Sequence, residues 1–403
     1  MELEVFGVLR GPEGQALLEE LRGYDPAREL AEATRLRKRH PAELVSAALG
    51  QARLRQRAAA KFAREDAERM YFTPDGVEQA TRARVAAHRA RRMAAAGVTG
   101  VVDLCCGIGG DALALAREGI RVLAVDRDPL TCEVARANAE ALGLAGLIEV
   151  RRAEVTEVDT GGWDAVFLDP ARRGGRGRIF DPEAYSPPLS WAVEAARGAR
   201  WGALKVAPGI PHEAVPRDAE AEWVSDGGDV KEAVLWFGSG GEADVRVRAT
   251  LLPSGETLPG AGLPDPDAGP VGRFLYEPDG AVIRAHLVAE VARSVDGRLI
   301  DPTIAYVTAD ALRPTPFATA YEITDVLPFH VKRLRALLRE RGAGVLTVKK
   351  RGSAVEPEEL RRKVKLTPRP GGEPCTVFLT RVAGAPSMLL GRPAGPAGQS
   401  AAS

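Results

Sequence analysis

Val101-Val102-Asp103-Leu104-Cys105-Cys106-Gly107-Ile108-Gly109-Gly110-Asp111 is the stretch on which the reading of this chain turns. Two β-branched residues lead into a carboxylate, a glycine-rich turn follows, and an Ala/Leu-rich segment runs on from Asp111 to about Glu118. That order predicts strand, tight loop and helix, the opening of a doubly wound α/β domain whose ligand lies beyond the strand ends. Glycines there let a ligand approach the backbone N–H groups at the helix start, where a side chain would block it.

Two cofactor classes use such an opening. A dinucleotide requires Gly-x-Gly-x-x-Gly, and counting from Gly107 the third position is Ala112, which the relaxed fingerprint tolerates. Asp103 points the other way. A carboxylate at the end of the first strand repels a pyrophosphate, but it suits a cationic ligand with an amino group and a sulfonium. The residues therefore favour S-adenosylmethionine over a nicotinamide dinucleotide.

Further strands are expected at 121–126, 148–153 and 165–170, then at 203–207, 221–225 and 233–237, which with the first make a mostly parallel seven-stranded sheet, and at 245–251 beside it. Asp126 closes the second strand 23 residues after Asp103, near the interval at which an acidic side chain bonds ribose hydroxyls. Glu154, after the third strand, is placed to reach an adenine amino group. The fourth strand exits through Asp169-Pro170-Ala171-Arg172-Arg173-Gly174-Gly175-Arg176-Gly177-Arg178. Proline there fixes the backbone and presents Asp169 to a transferred methyl group, a reaction that depends on alignment. Arg172, Arg173, Arg176 and Arg178 form a cationic loop suited to phosphates and bases.

Upstream, residues 1–70 read as helical, with Leu17, Leu18, Leu21, Leu30, Leu36, Leu44, Val45 and Leu49 at helical spacing. Tyr71-Phe72-Thr73-Pro74-Asp75-Gly76 is an aromatic turn feeding a helix that ends in a basic run at Arg89, Arg91 and Arg92. Its position before the first strand suits a lid over the cofactor loop, with Phe72 and Thr73 as contacts.

The segments Asp126-Arg127-Asp128-Pro129, Ala135-Arg136-Ala137-Asn138-Ala139 and Trp163-Asp164-Ala165-Val166-Phe167-Leu168-Asp169-Pro170 resemble the class I S-adenosylmethionine-dependent methyltransferases that act on RNA. The likeness is to the trimethylguanosine-synthase branch and to bacterial RNA methyltransferases carrying a C-terminal THUMP-like domain. Phe72-Thr73-Pro74 with Val85-Ala86-Ala87-His88 is similar to that branch's cofactor-contacting segment. The resemblance implies a Rossmann-like fold and cofactor contacts by Asp103, Gly107, Gly109, Asp126 with its neighbour Arg127, and Glu154. It places Asp169 and Pro170 at the methyl-transfer position. Amino-methylating members follow the polar residue with Pro-Pro and a stacking aromatic, whereas this chain has Pro170, Ala171 and Arg172. The uracil-C5 enzymes need a nucleophilic cysteine after the fifth strand, where this chain has Lys205-Val206-Ala207-Pro208-Gly209.

Residues 253–272 have the Pro/Gly-rich composition of an interdomain linker. Beyond it a helix is expected at 281–295, a loop at 312–319, a strand at 320–326, a helix at 330–341 and a strand at 344–349. Residues 273–390 form a THUMP-like RNA-binding domain by resemblance, carried by Phe274-Leu275-Tyr276-Glu277-Pro278 and Val348-Lys349-Lys350-Arg351-Gly352. The chain balances 55 Lys+Arg against 55 Asp+Glu, so nucleic-acid affinity must come from a local patch. Residues 332–369 supply one, with 13 basic residues against four acidic. Lys349, Lys350 and Arg351 at a strand exit and Arg361, Arg362 and Lys363 on a helix form a candidate phosphate track. The tail 391–403 reads as disordered.

Four cysteines without metal spacing fit a reducing cytosol, and no targeting or membrane-spanning segment is read, so a cytoplasmic location is expected. The five histidines share no ligand spacing, and no metal is expected. The chain thus reads as a helical region (1–70), a methyltransferase domain (71–252), a linker, and an RNA-binding domain, methylating a base nitrogen in tRNA or rRNA. The alternatives are a small-molecule or protein methyltransferase, and a non-catalytic RNA-binding protein with a vestigial fold.

Overall fold

The computed structural model describes residues 2–171, 183–238, 244–365 and 373–394, and the backbone of 173–174, 177–178 and 182. It divides into two compact units, 1–220 with 233–243, and 221–232 with 244–403.

The first unit opens with helices α1 (Leu3–Arg10), α2 (Pro12–Glu20), α3 (Glu29–Leu36), α4 (Ala42–Ala58) and α5 (Arg64–Ala67). They bury Phe6, Leu9, Leu17, Leu36 and Val45 in the same apolar cluster that holds Val101, Ala124 and Phe167 of the sheet. The expected boundary at 70 is therefore not a boundary between cores: apolar faces from both segments close over one another. The short helix α6 (Pro74–Gln79) and α7 (Ala83–Ala95) lead to β1 (Gly100–Leu104). There follow α8 (Gly110–Arg117), β2 (Arg121–Asp126), α9 (Pro129–Ala141), β3 (Ile148–Arg152) and β4 (Ala165–Leu168).

Helix starts follow local chemistry. Pro129 occupies the first turn of α9, where a missing N–H costs nothing, and the Asp128 carboxylate accepts the Thr131 N–H at 2.7 Å. After β4 the backbone pairs β5 (Arg173–Gly174) with β6 (Gly177–Arg178), then runs through α10 (Leu189–Gly198) to β7 (Trp201–Val206). The strands β1 and β4 are buried along their whole length, as expected of parallel strands covered on both faces. β1 pairs in parallel with both β2 and β4, β2 with β3, and β4 with β7.

β8 (Glu220–Asp226) and β9 (Asp229–Gly238) straddle the division between units. The second half of β9 lies antiparallel to β7. In the second unit β8 pairs in parallel with β10 (Val247–Leu252), and β11 (Glu256–Pro259) returns antiparallel to β10. The segment 253–272 thus contains a strand after a three-residue turn and is not a continuous linker, because residues 256–259 satisfy the edge of β10.

The rest of the second unit is β12 (Phe274–Pro278), α11 (Gly280–Arg284), α12 (Val288–Val295), β13 (Arg298–Leu299), β14 (Val307–Ala309), β15 (Ala318–Pro328), α13 (Val331–Glu340), β16 (Ala343–Lys350), α14 (Pro357–Val364), β17 (Glu373–Val382) and β18 (Ala385–Pro393). Its seven-stranded sheet has the order β13-β14-β12-β15-β18-β17-β16. The helix expected over 281–295 is two helices, interrupted where His286 takes a φ of +57°. The tail expectation also shifts: β18 continues through Pro393, with Gly391 opposite Thr376 and Ile323. Residues beyond 394 lie outside the described ones.

Candidate active site

The strand sequence β3-β2-β1-β4 reverses direction of travel at β1, so the crevice beyond the carboxyl ends of β1 and β4 is the topological switch point. Asp103 is the penultimate residue of β1, opposite Ala124 of β2 and Phe167 of β4. Asp169 follows β4 directly, and its N–H donates to the Leu104 carbonyl at 3.3 Å. The strand exits therefore bring together two carboxylates that are 66 positions apart in the chain.

The glycine loop is held open by its own backbone. Cys105, Gly107 and Gly109 all have left-handed φ, at +66°, +56° and +84°. For the two glycines this is free of penalty; for Cys105 it costs about 1–2 kcal/mol. The Cys106 N–H donates to Val125 at 3.0 Å, and the Gly107 N–H to Asp126 Oδ2 at 3.1 Å. Asp126 Oδ1 accepts the Asp128 N–H at 3.0 Å, so both oxygens of this half-buried carboxylate are oriented by backbone. A Cβ built on Gly107 meets nothing within 4 Å, whereas one on Gly109 would lie 3.4 Å from Ala135. Gly107 thus borders space and Gly109 borders helix α9.

The aromatic turn does press on this loop. A Cβ on Gly76 would come 2.4 Å from Ile108 Cγ2, and Thr73 caps α6 by accepting the Gly76 N–H at 2.9 Å. Asn138 of α9 clamps the two segments together. Its amide accepts the Tyr71 N–H at 2.7 Å and donates to the carbonyls of Tyr71 and Ile108 at 3.1 and 2.9 Å. Phe72 departs from its expected role as a lid. It is fully buried, its ring packs 5.7 Å from that of Phe62, and its backbone is bonded on both sides by Gln51. An aromatic ring gains more by leaving water altogether than by lying over a loop.

Beneath the switch point lies a chain of buried charge. Lys205, on β7 and 4% exposed, donates to Asp169 Oδ2 at 2.5 Å and to Thr81 Oγ1 at 2.8 Å. The Thr81 hydroxyl donates to Asp111 Oδ2 at 2.9 Å, and the Asp111 carboxylate is paired with Arg89. Burial acts to raise the Asp111 pKa, but Arg89 and Lys205 outweigh it and hold the carboxyl below its ordinary value. Arg89 belongs by sequence to the basic run that ends α7. It is instead 2% exposed, with its guanidinium 4.5 Å over the Phe167 ring. Asp103 stands apart. Both of its carboxylate oxygens are buried without a hydrogen-bond partner among the described residues, and burial, then Asp111 and Asp169, push its pKa well above the ordinary range.

The remaining expected residues scatter. Arg127 and Glu154 are exposed at the ends of β2 and β3, and Pro170 is buried. Arg172 and Arg176 lie outside the described residues, and Arg173 and Arg178 are described only as backbone partners in the β5–β6 hairpin. In the second unit Lys349 is paired with Glu277 and lies 5.5 Å from the centre of the Tyr321 ring. Lys350 pairs with Glu356 at 2.6 Å, and Arg351 lies 5.1 Å from the Tyr306 ring centre. Two cations expected in a free phosphate track are thus committed to carboxylates. Arg361 and Lys363 are likewise paired, with Glu358 and Glu359.

Thr81, Arg89, Asp111, Asn138 and Lys205 were not read as site residues from sequence. Lys205 did carry a signal, a lysine inside the apolar strand segment Ala203-Leu204-Lys205-Val206-Ala207. Thr81, which joins Lys205 to Asp111, carried none, since its role comes from side chains on other elements.

An open-faced glycine loop, an oriented carboxylate at the end of β2 and a buried carboxylate lacking a counter-cation fit a ligand that is a cation and carries a ribose. Together with the β3-β2-β1-β4 order they define a Rossmann-like class I methyltransferase. A methyltransferase-domain family model matches residues 101–170, a THUMP domain-like model 318–393, and a domain of unknown function 2–58. An uncharacterised S-adenosylmethionine-dependent methyltransferase of Mycobacterium tuberculosis strain H37Rv is 37% identical over 339 residues, covering 82% of this chain and 90% of that protein. A crystal structure of a candidate methyltransferase from Porphyromonas gingivalis W83 superposes with a TM-score of 0.77 at 23% identity, over 94% of this chain and 98% of that one. An uncharacterised RNA methyltransferase of Parasynechococcus marenigrum is 32% identical over 91 residues, which is 22% of this chain and 20% of that protein. The chain belongs to the S-adenosylmethionine-dependent methyltransferases, and S-adenosylmethionine is its cofactor.

Proposed function

We propose that the protein methylates a base nitrogen in RNA, with Asp169 receiving the target. The observation that carries the reading of the centre is the division of labour on Asp169: one carboxylate oxygen is bonded to Lys205, and the side chain remains 23% exposed. The other oxygen is left to accept an N–H of the target and so aim its nitrogen. S-adenosylmethionine supplies an electrophilic methyl group when bound. The protein's part is alignment: the buried Lys205 ammonium fixes one oxygen of Asp169, and Pro170 restricts the backbone that carries it. Asp126 would hold ribose hydroxyls, the loop at Gly107 and Gly109 the cofactor's amino-acid end, and Thr73, Arg127 and Glu154 would complete its surround. The arginines after Pro170 are proposed to meet the RNA backbone.

RNA as the substrate class is supported by the THUMP domain-like match at 318–393 and by the RNA methyltransferase relatives, which include a protein of Nitrosospira multiformis named as a 23S rRNA uracil-C5 methyltransferase. That relative's C5 chemistry does not transfer, because Lys205 and not cysteine stands on the fifth parallel-layer strand. Lys332, Arg333 and Arg362 are exposed on α13 and α14 and carry no ion pair among the described residues, so they replace Lys349 and Lys350 as the proposed phosphate contacts. The test is transfer of tritiated methyl from S-adenosylmethionine to total RNA of a strain lacking the gene. Label in RNA that is absent with Asp169→Asn supports the reading; label in protein or small molecules alone refutes it.

A further inference from the structure

The charge under the switch point does not balance. Two buried cations each have a carboxylate: Arg89 has Asp111, and Lys205 has Asp169. Asp103 is 0% exposed with both oxygens unpartnered, and among the described residues it has no cation left to it. The groups facing it add to the deficit. Asp111 comes from α8, Asp169 from the exit of β4 and Asp126 from the exit of β2, with Arg89 of α7 the cation that opposes them. A lone carboxylate in such surroundings stays charged only if a cation arrives, and otherwise takes up a proton.

The two forms of the cofactor differ in this respect. S-adenosylmethionine carries a sulfonium, an ammonium and a carboxylate, a net charge of plus one. S-adenosylhomocysteine has lost the methyl group and the sulfonium charge, and is neutral overall. Beside a fully buried carboxylate that difference acts over several ångströms without contact. We propose that Asp103 distinguishes donor from product by charge, standing as a carboxylate beside the sulfonium form and as a carboxylic acid when the crevice is empty or holds the thioether.

The protons balance. Binding of the donor ionises Asp103 and releases one proton to solvent. Methyl transfer to a target N–H breaks the S–CH3 bond, leaves the electron pair on sulfur, forms the N–CH3 bond and releases a second proton from nitrogen. Asp103 then recovers one proton in the product complex. The net yield is the single proton that methylation of a neutral N–H requires. Loss of the sulfonium thereby removes the reason for Asp103 to stay charged, and the site holds its product less tightly than its donor. The upward shift in the Asp103 pKa agrees with the empty-state protonation, burial being its largest cause.

The test needs no RNA. The full-length protein is titrated calorimetrically at neutral pH with S-adenosylmethionine and, separately, S-adenosylhomocysteine, each in phosphate and in Tris, whose ionisation enthalpies differ. The expected result is release of close to one proton with S-adenosylmethionine and a clearly smaller release with S-adenosylhomocysteine. In Asp103→Asn, checked for folding by circular dichroism, the donor's proton release disappears and its preference over the product falls about tenfold. Equal release with both ligands overturns the proposal, as does release that persists in Asp103→Asn. If that variant does not fold, the wild-type comparison of the two ligands decides alone.

Discussion

Lys205 shows how a single side chain acquires a role from its surroundings. On a strand interior it would ordinarily be a fault, since an isolated ammonium is costly to bury. Here it is solvated by Asp169 and Thr81 in place of water. Breaking such a pair is far worse than never having had it. Lys205→Met should therefore reduce methyl transfer by a factor of about a hundred, roughly the effect of losing a 2–3 kcal/mol positioning contact. Its dissociation constant for S-adenosylhomocysteine should stay within a few-fold of wild type, which separates loss of alignment from loss of the cofactor site. Two neighbouring carboxylates respond oppositely to pH. Asp111 is held below its ordinary value, so its contribution is present above the unfolded pKa and is lost as acid titrates it through the folded one. Asp103 is raised, so in the empty protein it subtracts stability as pH climbs from its unfolded value towards its folded one. Asp103→Asn should raise the melting temperature of the cofactor-free protein at neutral pH, and the gain should vanish near pH 4.

At the scale of elements, the cofactor loop is held by its neighbours as well as by its own backbone. Helix α9 supplies Asn138, which joins the aromatic turn to Ile108. Asn138→Ala leaves two carbonyls and one N–H unbonded in the interior, and should cost about 3 kcal/mol by urea denaturation. Cofactor affinity should fall in parallel, because the loop loses its tether. Gly76→Ala tests the opposite face of the same contact. A Cβ there meets Ile108 at 2.4 Å and Thr73 Oγ1 at 2.8 Å, so the turn must lift from the loop. The measurement is calorimetric affinity for S-adenosylhomocysteine, expected to weaken about tenfold.

Over the whole molecule the charge is neutral, and affinity for a polyanion must be local. The expected track at Lys349 and Lys350 is spent on Glu277 and Glu356. Exposed cations remain on α13 and α14, two helices joined where Arg335 donates to the Lys363 carbonyl. Replacing Lys332, Arg333 and Arg362 together by glutamine should weaken RNA binding in a filter assay. It should also lower the slope of log affinity against log salt by about two. Among the described residues no helix is long and apolar enough to cross a membrane.

The class of fold was legible in the sequence because its signals are local. A β-branched run, a glycine turn and a helix start lie within Val101 to Asp111, and Asp126 and Asp169 announce themselves at the ends of the next strands. The cofactor followed from one residue, Asp103, whose charge suits a sulfonium and not a pyrophosphate. Tertiary structure decided what no window of sequence contains. Lys205 and Thr81 are 124 positions apart, yet their side chains share a hydrogen bond. By sequence Arg89 belongs to a basic run and Phe72 to a lid, and both are buried by segments that arrive from elsewhere. Pairing settles whether a lysine is a free cation or half of a salt bridge, and pairing is a property of space. Position along the chain tells which residues can be charged; only the packed interior determines which of those charges is left without a partner.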